Sequence, residues 1–183
     1  MRSYSFEGIV IKRHNIGETD KLITLFTREF GKITLVARGL RRLSSKRAGS
    51  LELFNLVKAH AVKGRGAIDT LTEVSLIKSP HTWKKHLGRV TLGYQLCEIV
   101  DKLTAEHQSF PNTYQILVTG LTDIGKLGDN WQSDFDSWLI GIIRDLGYWP
   151  HETGFSGNII EYIESLTERR IFSPRILKKL ANR

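Results

Sequence analysis

With 183 residues, 40% apolar and 25% charged, the chain has an ordinary globular composition and room for one large domain or two small ones. No apolar run approaches the ~20 residues of a membrane-spanning helix, and the lone cysteine, Cys97, excludes an internal disulfide and any multi-cysteine zinc site. The formal charge of +8 is segregated: residues 1–80 hold 15 Lys+Arg against 7 Asp+Glu, whereas 81–183 hold 12 against 12. The opening MRSYSFEGIVIKRH meets two cations straight after its short apolar run and offers no small-residue cleavage site. It reads as the start of a cytoplasmic protein rather than a signal peptide.

Up to residue 80, short β-type runs alternate with turn signals. FEGIVIKR (6–13) leads into a turn at Asn15-Ile16-Gly17, and KLITLFT (21–27) into Arg28-Glu29-Phe30-Gly31. KITLVAR (32–38), headed by Lys32, runs into the basic stretch RGLRRLSSKR (38–47). LELFNLVKAHAV (51–62) precedes Gly64-Arg65-Gly66, and AIDTLTEVSLI (67–77) completes five strands. Five short strands with frequent glycines predict a partly open Greek-key barrel of the OB type, with an SH3-like barrel as the alternative. Of the aromatics here (Tyr4, Phe6, Phe26, Phe30, Phe54), most alternate with apolar neighbours as core residues do.

Past residue 80 the period becomes helical, so the expected fold class is α+β: an OB domain over 1–79 and a helical domain over 80–183. Ser79-Pro80 is a good helix start, after which Trp83, Leu87, Val90, Tyr94, Cys97 and Val100 follow helical spacing. Pro111 opens a second helix with Tyr114, Leu117, Val118, Leu121 and Ile124 inward. A third spans 131–146 with Phe135, Trp138, Leu139, Ile142 and Ile143 inward, ended by Gly147. A loop at 151–157 and helices near 158–167 and 174–181 follow. The four tryptophans all lie in this half, at spacings that suit a core.

Enzyme signatures are absent: there is no GxxxxGK[ST], GxGxxG, GxSxG or HExxH. The six histidines are scattered, with His81 and His86 five apart, and Cys97 sits on an apolar face. We therefore expect no catalysis, no cofactor and no metal. What remains is cationic. Lys12 and Arg13, then Arg38, Arg41, Arg42, Lys46 and Arg47, then Lys63 and Arg65 lie at strand ends or in loops, and Lys32 starts the third strand. Such groups neutralise phosphates and release counterions, giving affinity without sequence preference. On charge and fold alone, an RNA-binding or ribosome-associated OB protein, or a scaffold for an acidic partner, remain alternatives to a DNA-binding one.

The segments GIVIKRHNIGETDKLITLFTREFGKITLVARGLRR and LELFNLVKAHAVKGRGAIDTLTEVSLI resemble, in identity and spacing, the N-terminal OB domain of the RecO family of bacterial recombination mediators. The likeness continues more loosely through YQLCEIVDKL, IIRDLGY and TERRIFSPRILKKL. It implies a non-enzymatic factor that binds single- and double-stranded DNA, anneals complementary strands, works with RecR and helps load RecA. It also implies that the helical half docks the acidic, apolar tail of single-stranded-DNA-binding protein. Lys84, Lys85 and Arg89, beside the apolar face beginning at Trp83, are the candidates for that contact. Many family members carry a four-cysteine zinc module after the LGY element, whereas here WPHETGFSGN leads directly into the closing helices.

Overall fold

The computed structural model describes residues 3–64, 66–80 and 82–172. Arg65, His81 and the helix expected at 174–181 lie outside the described residues. By its contacts the chain forms two compact units, Met1–Ser79 with Glu106–Pro111, and Pro80–Ala105 with Asn112–Arg183.

The first unit is a closed five-stranded OB barrel. Its strands are β1 (Ser3–Ile16), β2 (Asp20–Thr27), β3 (Gly31–Ala37), β4 (Leu56–Val62) and β5 (Asp69–Lys78). Their order around the barrel is β1-β2-β3-β5-β4, with β1 long enough to pair with β2 through its second half and with β4 through its first. Every pairing is antiparallel except β3 with β5. Strict alternation in β3 buries Gly31, Ile33, Leu35 and Ala37 and leaves Lys32, Thr34 and Val36 half-buried, as a sheet with one face on a core requires. Ile33, Leu35 and Ala37 join Phe6, Val10, Ile23, Leu25, Val57 and Leu71 in the barrel interior.

The strand expected over 51–62 begins at Leu56 instead. Leu51 and Phe54 are buried, but Phe54 has φ +72 and the Asn55 side chain donates to the carbonyls of Gly49 and Ser50 at 3.0 Å each. The apolar run enters the core through a turn, which hydrophobicity alone does not distinguish from a strand. Among the aromatics, Phe6, Phe26 and Phe54 are buried, while Phe30 is 37% exposed. Residues Glu106–Pro111 lie along β3: the His107 amide donates to the Lys32 carbonyl (2.9 Å), and Glu106 accepts from the Thr34 hydroxyl (2.8 Å). Gly31, at φ +65, permits this approach, because a Cβ there would sit 1.7 Å from the Gln108 carbonyl oxygen.

The second unit contains, among its described residues, α1 (Leu87–Leu103), α2 (Pro111–Asp123), α3 (Trp131–Asp145) and α4 (Ile159–Thr167). Helix α1 starts seven residues after Pro80, not at it. The Ser79 hydroxyl donates to Asn55 Oδ1 (2.7 Å) and so does not cap the helix. The expected apolar face also shifts, since Leu87 and Tyr94 are exposed while Leu92, Leu96, Ile99 and Leu103 are buried beside Cys97 and Val100. Helices α2 and α3 follow the sequence pattern, with Tyr114, Leu117, Leu121, Phe135, Leu139, Ile142 and Ile143 buried and Val118 and Trp138 partly so. Gly120 permits close packing, for a Cβ there would meet Leu96 Cδ2 at 2.8 Å. The tryptophans are not uniformly core: Trp83 is buried, whereas Trp131 is 36% exposed. No helix among the described residues is long and apolar enough to cross a membrane.

Candidate nucleic-acid interface

The bulge in β1 decides what its two cations can reach. Val10 faces Leu25 of the barrel interior, and parity would put Lys12 on that same inward face. A register shift between Val10 and Lys12 instead pairs Lys12 with Thr24 and Arg13 with Ile23. Lys12 is thereby turned to the exposed face, and Arg13 comes to the inner rim. There its guanidinium bonds the carboxylate of Glu52, with only 16% of the arginine side chain exposed. The two neighbours in sequence occupy different faces.

The basic loop after β3 is clipped at its base to the turn between β1 and β2. Asp20 Oδ1 accepts from the Gly39 amide (2.7 Å) and from the Thr19 hydroxyl (2.9 Å). The Arg41 amide donates to the Thr19 carbonyl (2.8 Å), and its guanidinium to the Gly17 carbonyl (2.9 Å). Those two bonds from the Gly39 amide and Thr19 hydroxyl, with the charges of Arg38 and Arg42 behind them, hold the Asp20 carboxyl below the usual aspartate range. Beyond the clip, Arg38, Arg41, Arg42 and Lys46 are exposed, and none forms an ion pair among the described residues.

Arg47 differs from its neighbours. One guanidinium nitrogen donates to the carbonyls of Leu71 (3.1 Å) and Thr72 (3.2 Å), the other to that of Arg38 (2.6 Å). It ties the loop to β5 and leaves little capacity for a phosphate. Lys21 is the member that sequence reading passes over. It pairs with Asn15 and Ala37 at the base of the loop, and partial burial, then the charges of Arg13 and Arg41, lower its ammonium's pKa. The signal was a lysine heading a strand next to a turn, which nothing in the sequence links to a loop twenty residues on.

The remaining candidates lie elsewhere. Lys63 follows Val62, which pairs with Ser3, so it sits by the beginning of β1, whereas Lys21 and Arg38 sit by its end. Lys32 is half-buried on β3 beside the Glu106 bridge, and Arg65 is outside the described residues.

Of the positions considered for a protein partner, Trp83 is 1% exposed with its indole N–H on the Leu121 carbonyl (2.8 Å), so it has no surface to offer. Arg89 donates to the carbonyls of Ile124 and Leu127. Beside it, within the helical unit, is an apolar cavity of about 300 Å³ lined by Gly88, Arg89, Leu92, Leu127, Gly128 and Trp131. Lys84 is half-buried and Lys85 exposed on the turn before α1.

Residues 1–80 match the family described as recombination protein O N terminal, and residues 85–154 match recombination protein O C terminal. The chain is 38% identical over 150 residues to the DNA repair protein RecO of Symbiobacterium thermophilum, an overlap covering 82% of this chain and 59% of the relative. It is 34% identical over 154 residues to that of Nocardioides sp., covering 80% and 61%. With that of Bifidobacterium longum it shares 30% identity over 155 residues, covering 82% and 63%. The chain thus spans less than two thirds of the length of these relatives.

Proposed function

The chain belongs to the recombination protein O family, and from that premise we propose that it acts in DNA repair as a non-catalytic mediator. In this reading it binds single- and double-stranded DNA, anneals complementary strands and helps load the recombinase RecA. The observation that carries the reading is the set of exposed cations Arg38, Arg41, Arg42 and Lys46 on a loop clipped to the barrel. A fixed loop presents its charges with little ordering left to do on binding. Phosphate neutralisation by arginine and lysine needs no base contact, so either strand state is accepted. Charge brought between two strands also offsets their mutual repulsion, which is the physical requirement of annealing.

RecR and the tail of single-stranded-DNA-binding protein are the protein partners of this reading. The helical unit carries the tail site: the cavity walled by Leu92, Leu127 and Trp131 takes an apolar side chain, and exposed Lys85 meets an acidic one, while Arg89, held on the Ile124 and Leu127 carbonyls, adds only its field. This moves the aromatic contact from Trp83 to Trp131.

Binding measured at several salt concentrations tests the DNA reading. For the wild type, log affinity should fall linearly with log salt. Arg38→Ala/Arg42→Ala should weaken single- and double-stranded DNA alike and flatten the slope by about 0.7 to 0.9 per lost contact. Arg47→Ala should instead lower folding stability by about 1–3 kcal/mol through its lost carbonyl bonds. Coincident salt plots for wild type and the double variant would end the proposal, and tighter binding of RNA than of DNA of one sequence would redirect it.

A further inference from the structure

At the beginning of β1, the opposite end of that strand from the basic loop, two adjoining cavities of about 490 and 320 Å³ open in the barrel unit. They share Tyr4, Ile33, Lys63, Asp69 and His107, and Phe30 lines the larger. The buried Ile33 forms an apolar floor. One wall is aromatic, with the rings of Tyr4 and Phe30 edge to face at 5.2 Å and 74°. Phe30 is 37% exposed, in the turn that follows the buried end of β2.

The wall is held in place by polar bonds. The Tyr4 hydroxyl donates to Asp69 Oδ2 (2.8 Å), and Asp69 Oδ1 accepts the Gly64 amide (3.1 Å), which fixes the strand and the loop between β4 and β5 to each other. Burial first, and then Asp69, keep the phenol protonated beyond the ordinary tyrosine range, so the ring is neutral. Glu106 adds a second carboxylate to the smaller cavity, while exposed Lys63 lines both.

These groups select a ligand class. An aromatic wall suits a flat ring, carboxylates accept from N–H groups on that ring's edge, and an ammonium suits one attached anion. Two carboxylates inside exclude a phosphate from entering, so the anion must stay at Lys63 while the ring goes in. A base within a duplex qualifies on neither count, since its faces are stacked and its edge is paired. We propose that this cleft captures one unpaired nucleobase of a single strand, stacked on Phe30, with the adjoining phosphate on Lys63. The inference rests on the DNA-binding reading above and adds to it a preference for strand state that the basic loop does not supply.

The test is Phe30→Ala, a change in an exposed turn, with the fold checked by circular dichroism. Affinities for a single strand and for a duplex of the same sequence are measured at one salt concentration. Single-strand affinity should fall about tenfold, the lower end of base–aromatic stacking, with duplex affinity unchanged. A fluorescent aminopurine in the single strand should be quenched on binding to the wild type and less so with Phe30→Ala. Equal losses for both strand states, or no loss for the single strand, overturn the cleft. If Arg38→Ala/Arg42→Ala still weakens binding, that failure leaves the DNA reading standing. A wild type that binds neither strand form overturns both.

Discussion

One carboxylate oxygen of Asp20 accepts both the Gly39 amide and the Thr19 hydroxyl, and with the Arg41 bonds it holds the basic loop at its base. Because those bonds favour the charged form, the folded carboxyl titrates below its unfolded value. The sign follows: the stabilisation is complete above the unfolded pKa and is lost as pH falls through the lowered, folded one. An NMR titration should therefore place the Asp20 midpoint below the ordinary value of 3.8. Asp20→Asn should remove that part of the acid sensitivity, and a midpoint at or above the ordinary value would show that the clip is not formed. The same scale separates Arg47 from Arg42. Both read as cations of one run, yet one donates to three carbonyls and the other extends from the loop.

At the scale of elements, α2 depends on the end of α3. The helix opens with Pro111, which has no N–H to satisfy, but the following amides need acceptors. Asp145 Oδ2 accepts the Thr113 amide (2.8 Å) and hydroxyl (2.6 Å), while Oδ1 accepts from Asn112 (2.9 Å). Removing the carboxylate leaves those donors without it, so Asp145→Ala should lower stability by about 1–3 kcal/mol. Urea unfolding should show a lower midpoint with the slope unchanged, and Asp145→Asn, which keeps an acceptor oxygen, should lose less. Equal stability of wild type and Asp145→Ala would refute the cap. Where α3 passes to α4, Trp149, Phe155 and Tyr162 pack edge to face with centroids 5.0 to 5.6 Å apart. The Tyr162 hydroxyl also donates to the Tyr148 carbonyl (2.6 Å). That cluster closes the connection between the two helices.

At the scale of the molecule, the expectation is a chain that binds no structural metal. Cys97 is buried on α1, and burial pushes its thiol well above the usual range, so it stays protonated and is a poor ligand. Among the described residues no three His, Cys, Asp or Glu side chains gather as a metal-holding group. Protein purified without added metal should contain no stoichiometric zinc, and EDTA should leave its melting temperature unchanged. One zinc per chain whose removal unfolds the protein would overturn this expectation.

The order of elements, the OB barrel and the helical packing of α2 and α3 were legible in the sequence because period-2 and period-3.6 patterns record which face is buried. So was the concentration of charge in the first half. Local patterns were misleading where a tertiary partner competed for the same residue. Ser79 could cap a helix, but its hydroxyl meets Asn55; Trp83 was a candidate partner contact, yet it is buried with its indole N–H on the Leu121 carbonyl. The bulge that sends Lys12 and Arg13 to different faces is set by pairing with β2, and the return of Glu106–Pro111 to β3 by a gap that Gly31 leaves open. Which cations remain exposed, and where aromatic and acidic groups share a cleft, depends on bonds between residues far apart in the chain. Sequence carries the propensities of these residues, while only the folded chain determines which partner each one meets.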